Sequence, residues 1–566
     1  MCYTIIGGSM IKKHFLFISI LLILTIICIL FLFKFNDKKI IKPDTITNYV
    51  SGYTSTIDLY DENLKSIDKI IRGSKVVVYQ DILKNEEEVF KKIKYNKKYY
   101  YINIDNLVMK EKEIIKEKEK YVRTSSTIYK KIDSAEIISH VKKGSKVEII
   151  GYDYLTDGNV NKYKIKYNDI EGYVYAKYLV DTKEDAIKLY DDGKIQEYMK
   201  KMGNSLGGGS ATTLDFYPYE KANFKDNIMP SEVRALYINS GAVRNIDKYI
   251  DFAKENNINA FVIDIKDNTS PAYNSPIMEK YSKTNYERAL NSYENYKEYI
   301  KKAKDAGFYL IGRITVFKDS YFVKDNKDAA ISNKEGESFS HNGSYWPSAF
   351  NRDVWEFNVE LAREAVKEMG FNEIQFDYVR FPDRTIRLEK NGTINLKNKY
   401  EEEKAEAIQN FVIYACDSIH EVGAYVSIDV FGESANNYVT AYGQFWAGIS
   451  NIADVISGMP YPDHFNAHEY GINEVVWTVP YKVLDKWSKF VLSKQEIIKT
   501  PAVVRTWIQT YNATRAPYVV YDDTKISEQI KALYDNGLNG GYMTWNSASN
   551  LIKYKEVSYA FRKVYE

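Results

Sequence analysis

From about Val233 onward, short apolar runs alternate with longer amphipathic segments, and the alternation repeats along the rest of the chain. Strand candidates begin near Val233, Ala260, Tyr309, Glu373, Ala424, Asp454, Ala502 and Gly541, and helical periodicity lies between them, as at Asn245–Asn256, Tyr293–Ala306 and Ser527–Asn536. Eight such units predict a (β/α)8 TIM barrel over residues 230–560, with some long loops. A doubly wound open sheet is the competing fold. The first strand-to-helix turn has no glycine-rich phosphate loop, which favours the barrel.

The fourth run, Phe371-Asn-Glu-Ile-Gln-Phe-Asp377-Tyr-Val-Arg380-Phe-Pro382, alternates like a strand but carries Glu373, Gln375 and Asp377 on one face. Helix-like segments precede it (Val354–Met369) and follow it (Glu401–His420), so it reads as a parallel strand whose helix-facing side must be apolar. Its acidic side then faces a barrel interior or cleft, which places Asp377 where barrel enzymes keep their chemistry.

Ahead of the barrel, residues 50–110 and 121–182 form an internal repeat. Gly73-Ser-Lys-Val76 recurs as Gly144-Ser-Lys-Val147, and Ile93-Lys-Tyr-Asn96 as Ile165-Lys-Tyr-Asn168. Each unit is strand-patterned and punctuated by turns, which predicts two small β-barrels in tandem. The second ends in Gly172-Tyr-Val-Tyr-Ala-Lys-Tyr-Leu179, which resembles the closing strand of bacterial SH3-like modules; in that family such modules commonly bind cell-wall material. A spacer role is the plainer reading. The Lys110–Lys120 charge run between the units reads as a solvated linker or short helix, and residues 183–229, with their glycine-rich stretch Gly203–Ser210, as the linker to the barrel.

Phe15–Phe33 is uncharged and almost wholly apolar, long enough to cross a bilayer, and flanked by Lys12, Lys13 and His14 before it and Lys34 after it. No small-residue cleavage site follows, so a retained membrane anchor is expected in preference to a cleaved signal peptide. Basic residues are more numerous after the span, but long following domains translocate regardless of such charge. The expected arrangement is residues 1–14 in the cytoplasm and the bulk outside.

Composition narrows the remaining classes. With 78 basic and 76 acidic residues, the chain has no field that would draw in nucleic acid. Its cysteines are Cys2, Cys28 and Cys416, and only the last lies in the folded region, so no disulfide framework supports the fold.

Polar residues gather near the C-terminal ends of the strand candidates: Asp264 and Lys266 on the second, Arg313 and Thr315 on the third, Asp377 on the fourth. Ser427 and Asp429 follow on the fifth, Arg505 and Gln509 on the seventh, Thr544 and Asn546 on the eighth. Two carboxylates on adjacent strands, Asp377 and Asp429, suit glycosidic cleavage, where one group protonates the leaving oxygen and the other attacks carbon or activates water. Arg313, Arg380 or Arg505 could hold one of them ionised. Tyr237, Tyr378, Phe431, Tyr461, Trp507 and Trp545 could stack on sugar rings. His464 and His468 sit four apart after the sixth strand, but Pro460 and Pro462 argue for a loop there, with His464 as a hydrogen-bonding group at the mouth; no metal or cofactor is expected.

Residues 230–555 resemble a bacterial glycoside hydrolase family long catalogued as a domain of unknown function, with an α-amylase-like barrel. The matching motifs are Asn259–Asp267, Gly312–Asp319, Glu373–Pro382, Ser427–Gly432 and Tyr461–His464; the chain departs from the family pattern at Asp463, usually small and hydroxylated, and at Thr506, which replaces a proline. The resemblance implies Asp377 as nucleophile or base and Asp429 or Glu433 as acid. The resulting expectation is a membrane-anchored hydrolase of a cell-envelope or extracellular polysaccharide, with Asp264, Lys266, Arg313, Arg380, Tyr461, His464, Arg505, Gln509, Trp545 and Asn546 holding substrate. Two rivals stand beside it: a non-catalytic carbohydrate-binding scaffold and a metal-dependent deacetylase.

Overall fold

The structure is a computed structural model describing residues 46–202 and 206–565. The expected anchor Phe15–Phe33 lies outside the described residues, among which no helix is long and apolar enough to cross a membrane. Two compact units are seen: residues 46–117 with the hairpin 154–160, and residues 118–153 with 161–565.

The repeat is visible as topology. Two seven-stranded antiparallel sheets, one spanning Ile46–Val108 and one spanning Glu119–Val180, share the same spatial strand order, third-second-sixth-fifth-fourth-first-seventh. The charge run between them is less solvated than its composition suggests. It opens with a turn of 3-10 helix, Glu111–Glu113, then buries Ile114, Ile115 and Glu117, the last paired with Arg72 at 2.9 Å.

Eight parallel strands follow: β1 Val233–Ile238, β2 Ala260–Asp267, β3 Tyr309–Thr315, β4 Glu373–Asp377, β5 Tyr425–Phe431, β6 Val455–Met459, β7 in two pieces (Val503–Val504 and Thr506–Gln509) and β8 Gly541–Trp545. Each pairs with the next from β1 to β6, and β8 pairs with β1. The first piece of β7 pairs with β6 and the second with β8, so the ring is interrupted only at Arg505. Gly541 lets β8 approach β1: its φ is +103°, and a Cβ there would lie 1.9 Å from the Val233 carbonyl oxygen.

The helices packed outside include α1 Ile246–Glu255, α2 Tyr293–Asp305, α3 Arg352–Met369, α4 Lys404–His420, α5 Trp446–Ser450, α6 Pro480–Gln495 and α7 Asp523–Asp535. The pair flanking β4 is well delimited. Asn351 caps α3 by accepting from the amides of Asp353 and Val354, Gly370 ends it in the left-handed region, and Glu403 with Glu406 forms a capping box on α4. This fixes which side of β4 is greasy: Phe376 packs edge-on against Phe411 of α4 at 5.5 Å, which turns Glu373, Gln375 and Asp377 into the barrel.

Residues 206–229, expected as linker, pack as a strap beneath the barrel. Lys221 donates to the carbonyls of Ser450, Asn451 and Ala453, and Asn227 to those of Asn372 and Gly423, groups that lie at the N-terminal ends of the central strands. Phe224 meets the Tyr425 ring at 5.1 Å, and the Met229 sulfur accepts from Arg505 at 3.4 Å.

The second sheet is fastened to the barrel. Tyr178 and Lys177 both bond Asp417 of α4, at 2.7 and 2.6 Å, and Tyr414 donates to the Ala135 carbonyl at 2.6 Å. The fully buried Lys162 pairs with Glu421 and lies over the rings of Tyr129 and Tyr175. Tyr129, Tyr175 and Tyr178 thus belong to the same apolar core as the barrel helices.

Candidate active site

The barrel interior is layered, and the layers sort the polar residues by function. At the floor, Arg505 donates to both Glu373 oxygens at 2.7 and 2.9 Å, and Tyr309 adds a hydrogen bond to Glu373 at 3.0 Å. Above it, Gln375 donates to Ser457 and to the Met543 sulfur, each at 3.3 Å. The top layer carries the site.

There Arg313 lies between two carboxylates. Its Nε and Nη2 donate to Asp377 Oδ2 at 3.1 and 2.5 Å, and its Nη1 to Asp264 Oδ1 at 2.8 Å. Tyr237 donates to the other Asp264 oxygen at 2.6 Å. Burial outweighs the adjacent guanidinium and pushes the Asp264 carboxyl up to about 6.

Asp377 ends β4, and the next residue, Tyr378, sits in the left-handed region with φ +53°. An aromatic residue there is strained. The turn is held by the Tyr378 amide donating to Asp377 Oδ1 at 2.6 Å. Asp377 therefore accepts from Arg313 on one oxygen and from backbone on the other.

Asp429, on β5, has a different setting. One oxygen accepts from the Trp507 indole N–H at 2.7 Å, and Oδ2 is buried without a partner. Burial pushes its carboxyl well above the ordinary range, and the charge of Asp377 pushes the same way, against the opposing pull of Arg313 and the indole.

Asp377 and Asp429 line one pocket of about 120 Å³, together with Arg313, Arg380, Tyr461 and the two tryptophans Trp507 and Trp545. Phe431, Met459 and His464 line both this pocket and a wider recess of about 610 Å³ that includes Glu433, Asp383 and Arg384. In the recess, Glu433 accepts from Tyr438 at 3.1 Å and from Tyr442 at 2.9 Å. Arg380 lies over the rings of Phe431 and Trp346, at 4.4 and 4.9 Å, and donates to Asp383 at 3.3 Å.

Four expected substrate contacts are placed elsewhere. Register slips between Asp264 and Lys266, and the bulge turns Lys266 outward, where it donates to the Thr315 carbonyl and to Asp319 at 2.5 and 2.7 Å. Arg505 is in the floor pair, since β7 enters the ring there instead of ending. Gln509 accepts from the Asp463 amide at 3.2 Å, and Asn546 donates to the Thr510 carbonyl at 3.3 Å, so both brace loops. Asp463 is itself a brace, accepting from Tyr511 at 2.8 Å and from the Thr514 amide and hydroxyl at 3.0 Å. Among the described residues, no three His, Cys, Asp or Glu side chains are grouped to hold a metal ion.

The sequence reading missed Trp346, Tyr438, Tyr442, Asp383 and Arg384. Asp383 and Arg384 directly follow the fourth-strand motif, and that adjacency was an available signal. The three aromatic residues come from loop excursions with no periodicity to mark them.

The family model described as "Putative glycosyl hydrolase domain" (DUF4015) matches residues 235–551. No curated protein matches the chain. Among solved structures, a hypothetical protein from Ruminiclostridium thermocellum is similar at 29% identity over 34% of this chain and 97% of that one, with a TM-score of 0.29. The glycoside hydrolase domain of PgaB (BpsB) from Bordetella bronchiseptica is similar at 13% identity over 58% of this chain and 98% of that one, with a TM-score of 0.42. A class V chitinase from Pseudomonas fluorescens has 13% identity over the same shares and a TM-score of 0.37.

Proposed function

The chain belongs to the family of that glycosyl hydrolase domain and is a glycoside hydrolase; from this premise we propose that it cleaves a cell-envelope or extracellular polysaccharide by a two-carboxylate mechanism, held at the outer face of a membrane by Phe15–Phe33. The observation that carries the mechanism is that Asp377 and Asp429 line one pocket in opposite settings. Asp377 is engaged by a guanidinium and a backbone amide, whereas Asp429 has one hydrogen bond, one unpartnered oxygen and a carboxyl displaced upward by burial. Such a split is what paired acid and base chemistry needs.

In this mechanism Asp429 gives its proton to the glycosidic oxygen as the bond to the anomeric carbon breaks. Asp377 attacks that carbon, or takes a proton from the water that does. Arg313 orients Asp377, and the aromatic residues Trp507, Trp545 and Tyr461 supply the apolar wall a sugar face needs. Glu433 is assigned to substrate holding, because it faces the outer recess and its oxygens are occupied by tyrosine hydroxyls.

The N-terminal modules position the enzyme. In the second, Tyr175 and Tyr178 are taken up by the barrel, so holding of wall material is assigned to the first. Asp377→Asn tests the enzyme against the scaffold alternative. Glycan binding kept with product release lost supports the enzyme, release undiminished by the substitution refutes the role given to Asp377, and no release from the unsubstituted protein on any glycan tried favours the scaffold. Protease shaving of intact cells tests the placement, which fails if residues beyond 50 survive uncut.

A further inference from the structure

Resting on the hydrolase reading, we infer that the polysaccharide is acidic: a sugar beside the bond to be cut carries a carboxylate, as a uronic acid does, and Arg380 selects it. Arg380 is 5% exposed and lines the inner pocket together with Asp377 and Asp429. It is set among rings, its guanidinium carbon lying 4.4 Å from the centre of Phe431, 4.9 Å from Trp346, 5.1 Å from Tyr378 and 5.8 Å from Tyr442.

Its hydrogen bonds leave one edge unused. Both come from Nη1, to the Phe381 carbonyl at 3.0 Å and to Asp383 at 3.3 Å. Among the described residues Nε and Nη2 have no acceptor, and unlike the Nε atoms of Arg352 and Arg505 they are not sealed from solvent. Among those residues the ion pair of Arg380 is with Asp383, and none joins it to Asp377, Asp429 or Glu433. Arg313 shows what the same edge can do: its Nε and Nη2 hold Asp377, while Nη1 serves Asp264. The Nε–Nη2 edge presents two parallel N–H groups that match a planar carboxylate.

A buried guanidinium with an idle edge is a poor device for stability, because burying a charge is offset only when it is well paired. The neighbouring acids do not complete it. Asp383 is shared, lying 3.8 Å from Nε of the exposed Arg384, and Glu433 is engaged by the Tyr438 and Tyr442 hydroxyls. Asp429, its carboxyl raised by burial, brings no opposing charge while protonated. A carboxylate entering from the pocket would fill the idle edge without displacing Asp383 from Nη1, and the aromatic surroundings would strengthen the bonds it makes. A neutral hydroxyl could accept one N–H but would leave the charge unanswered.

The test uses the full chain and oligosaccharides of glucuronic, galacturonic and mannuronic acid. Each is paired with its carboxyl-reduced neutral twin, and neutral chitin and maltose oligosaccharides are run beside them. The expected result is cleavage of at least one acidic member, with kcat/KM above that of its twin by roughly 10- to 150-fold, the worth of a hydrogen bond to a charged group. Arg380→Gln should bring the twins level, and Arg380→Lys, which keeps the charge without the paired edge, should recover only part of the preference. A merely structural Arg380 would lower both twins in equal proportion, and that result would overturn the inference. So would wild-type protein that cleaves the twins equally or cleaves only neutral members, a comparison that needs no variant to fold. Each of these results leaves the hydrolase reading intact. Failure to cleave any member, with aryl monoglycosides of the same sugars also untouched, would overturn the hydrolase reading and this inference with it.

Discussion

Replacing Arg313 with Met tests whether the top layer is held by charge. The guanidinium contributes hydrogen bonds to two buried carboxylates, Asp377 and Asp264, and is itself only 2% exposed. Methionine fills much of the same volume but leaves both carboxylates without their shared cation. Breaking a buried pair by removing one partner costs about 3–5 kcal/mol. The cost should also depend on pH. Asp264 is already displaced from 3.8 to about 6 by burial, with Arg313 pulling the other way, so losing Arg313 moves it higher. A carboxyl raised above its unfolded value favours the fold at low pH, and that favour is lost as pH rises through the folded value. Wild-type protein loses the Asp264 contribution between the two values, whereas the variant should go on losing stability above about 6. Urea denaturation at about pH 5 and about pH 8 reads both effects, the variant's deficit being larger at the higher pH. Adding Asp264→Asn should recover part of the loss. A deficit under about 1 kcal/mol, typical of a surface ion pair, or one equal at both pH values, would refute the argument.

The alkaline limb of the pH–rate profile should belong to Asp429 and lie above the ordinary carboxylate range, because burial raises that carboxyl. Activity is then lost as pH rises and Asp429 gives up its proton, and Trp507→Phe, which removes the hydrogen bond favouring the ionised form, should move this limb to higher pH; a limb that stays put sinks the acid assignment. At the floor, Arg505→Met alone should destabilise by about 3–5 kcal/mol, while the double change with Glu373→Leu should restore most of it without altering KM, as equilibrium unfolding and kinetics together would show. Lys162→Met, at the seam of the second sheet and α4, should cost roughly 1.5–3 kcal/mol and lower the melting temperature of sheet and barrel together; two separated calorimetric transitions would show that the seam does not couple them.

Strand placement was legible because buried parallel strands announce themselves as apolar runs: each expected start falls within a residue or so of β1 to β8. Parity alone brought Asp264, Arg313, Asp377 and Asp429 to one layer, since a regular strand turns every second side chain inward. The same parity misplaced Lys266, because a single bulge at Ile265 resets the alternation and nothing in composition marks a bulge. Arg505 had the correct parity at the wrong height. Which end of a strand a residue occupies depends on stagger around the ring, a property of the closed barrel and not of the local sequence. The strap was unreadable for a related reason. Its polar and glycine-rich residues have no period of their own, and its order comes from carbonyls and side chains of strands far along the chain, such as Asn372 and Gly423.

The family boundary at residue 235 cuts through this arrangement. A gene fragment begun there would discard Lys221, Phe224, Asn227 and Met229, stripping the hydrogen-bond donors from the underside and wetting the Arg505 guanidinium. Expression trials that follow homology alone should therefore yield aggregated material, whereas fragments begun upstream of the second sheet should be soluble. For this chain the smallest sensible piece to clone is set by masonry under the foundation, well outside the stretch that sequence relatives share.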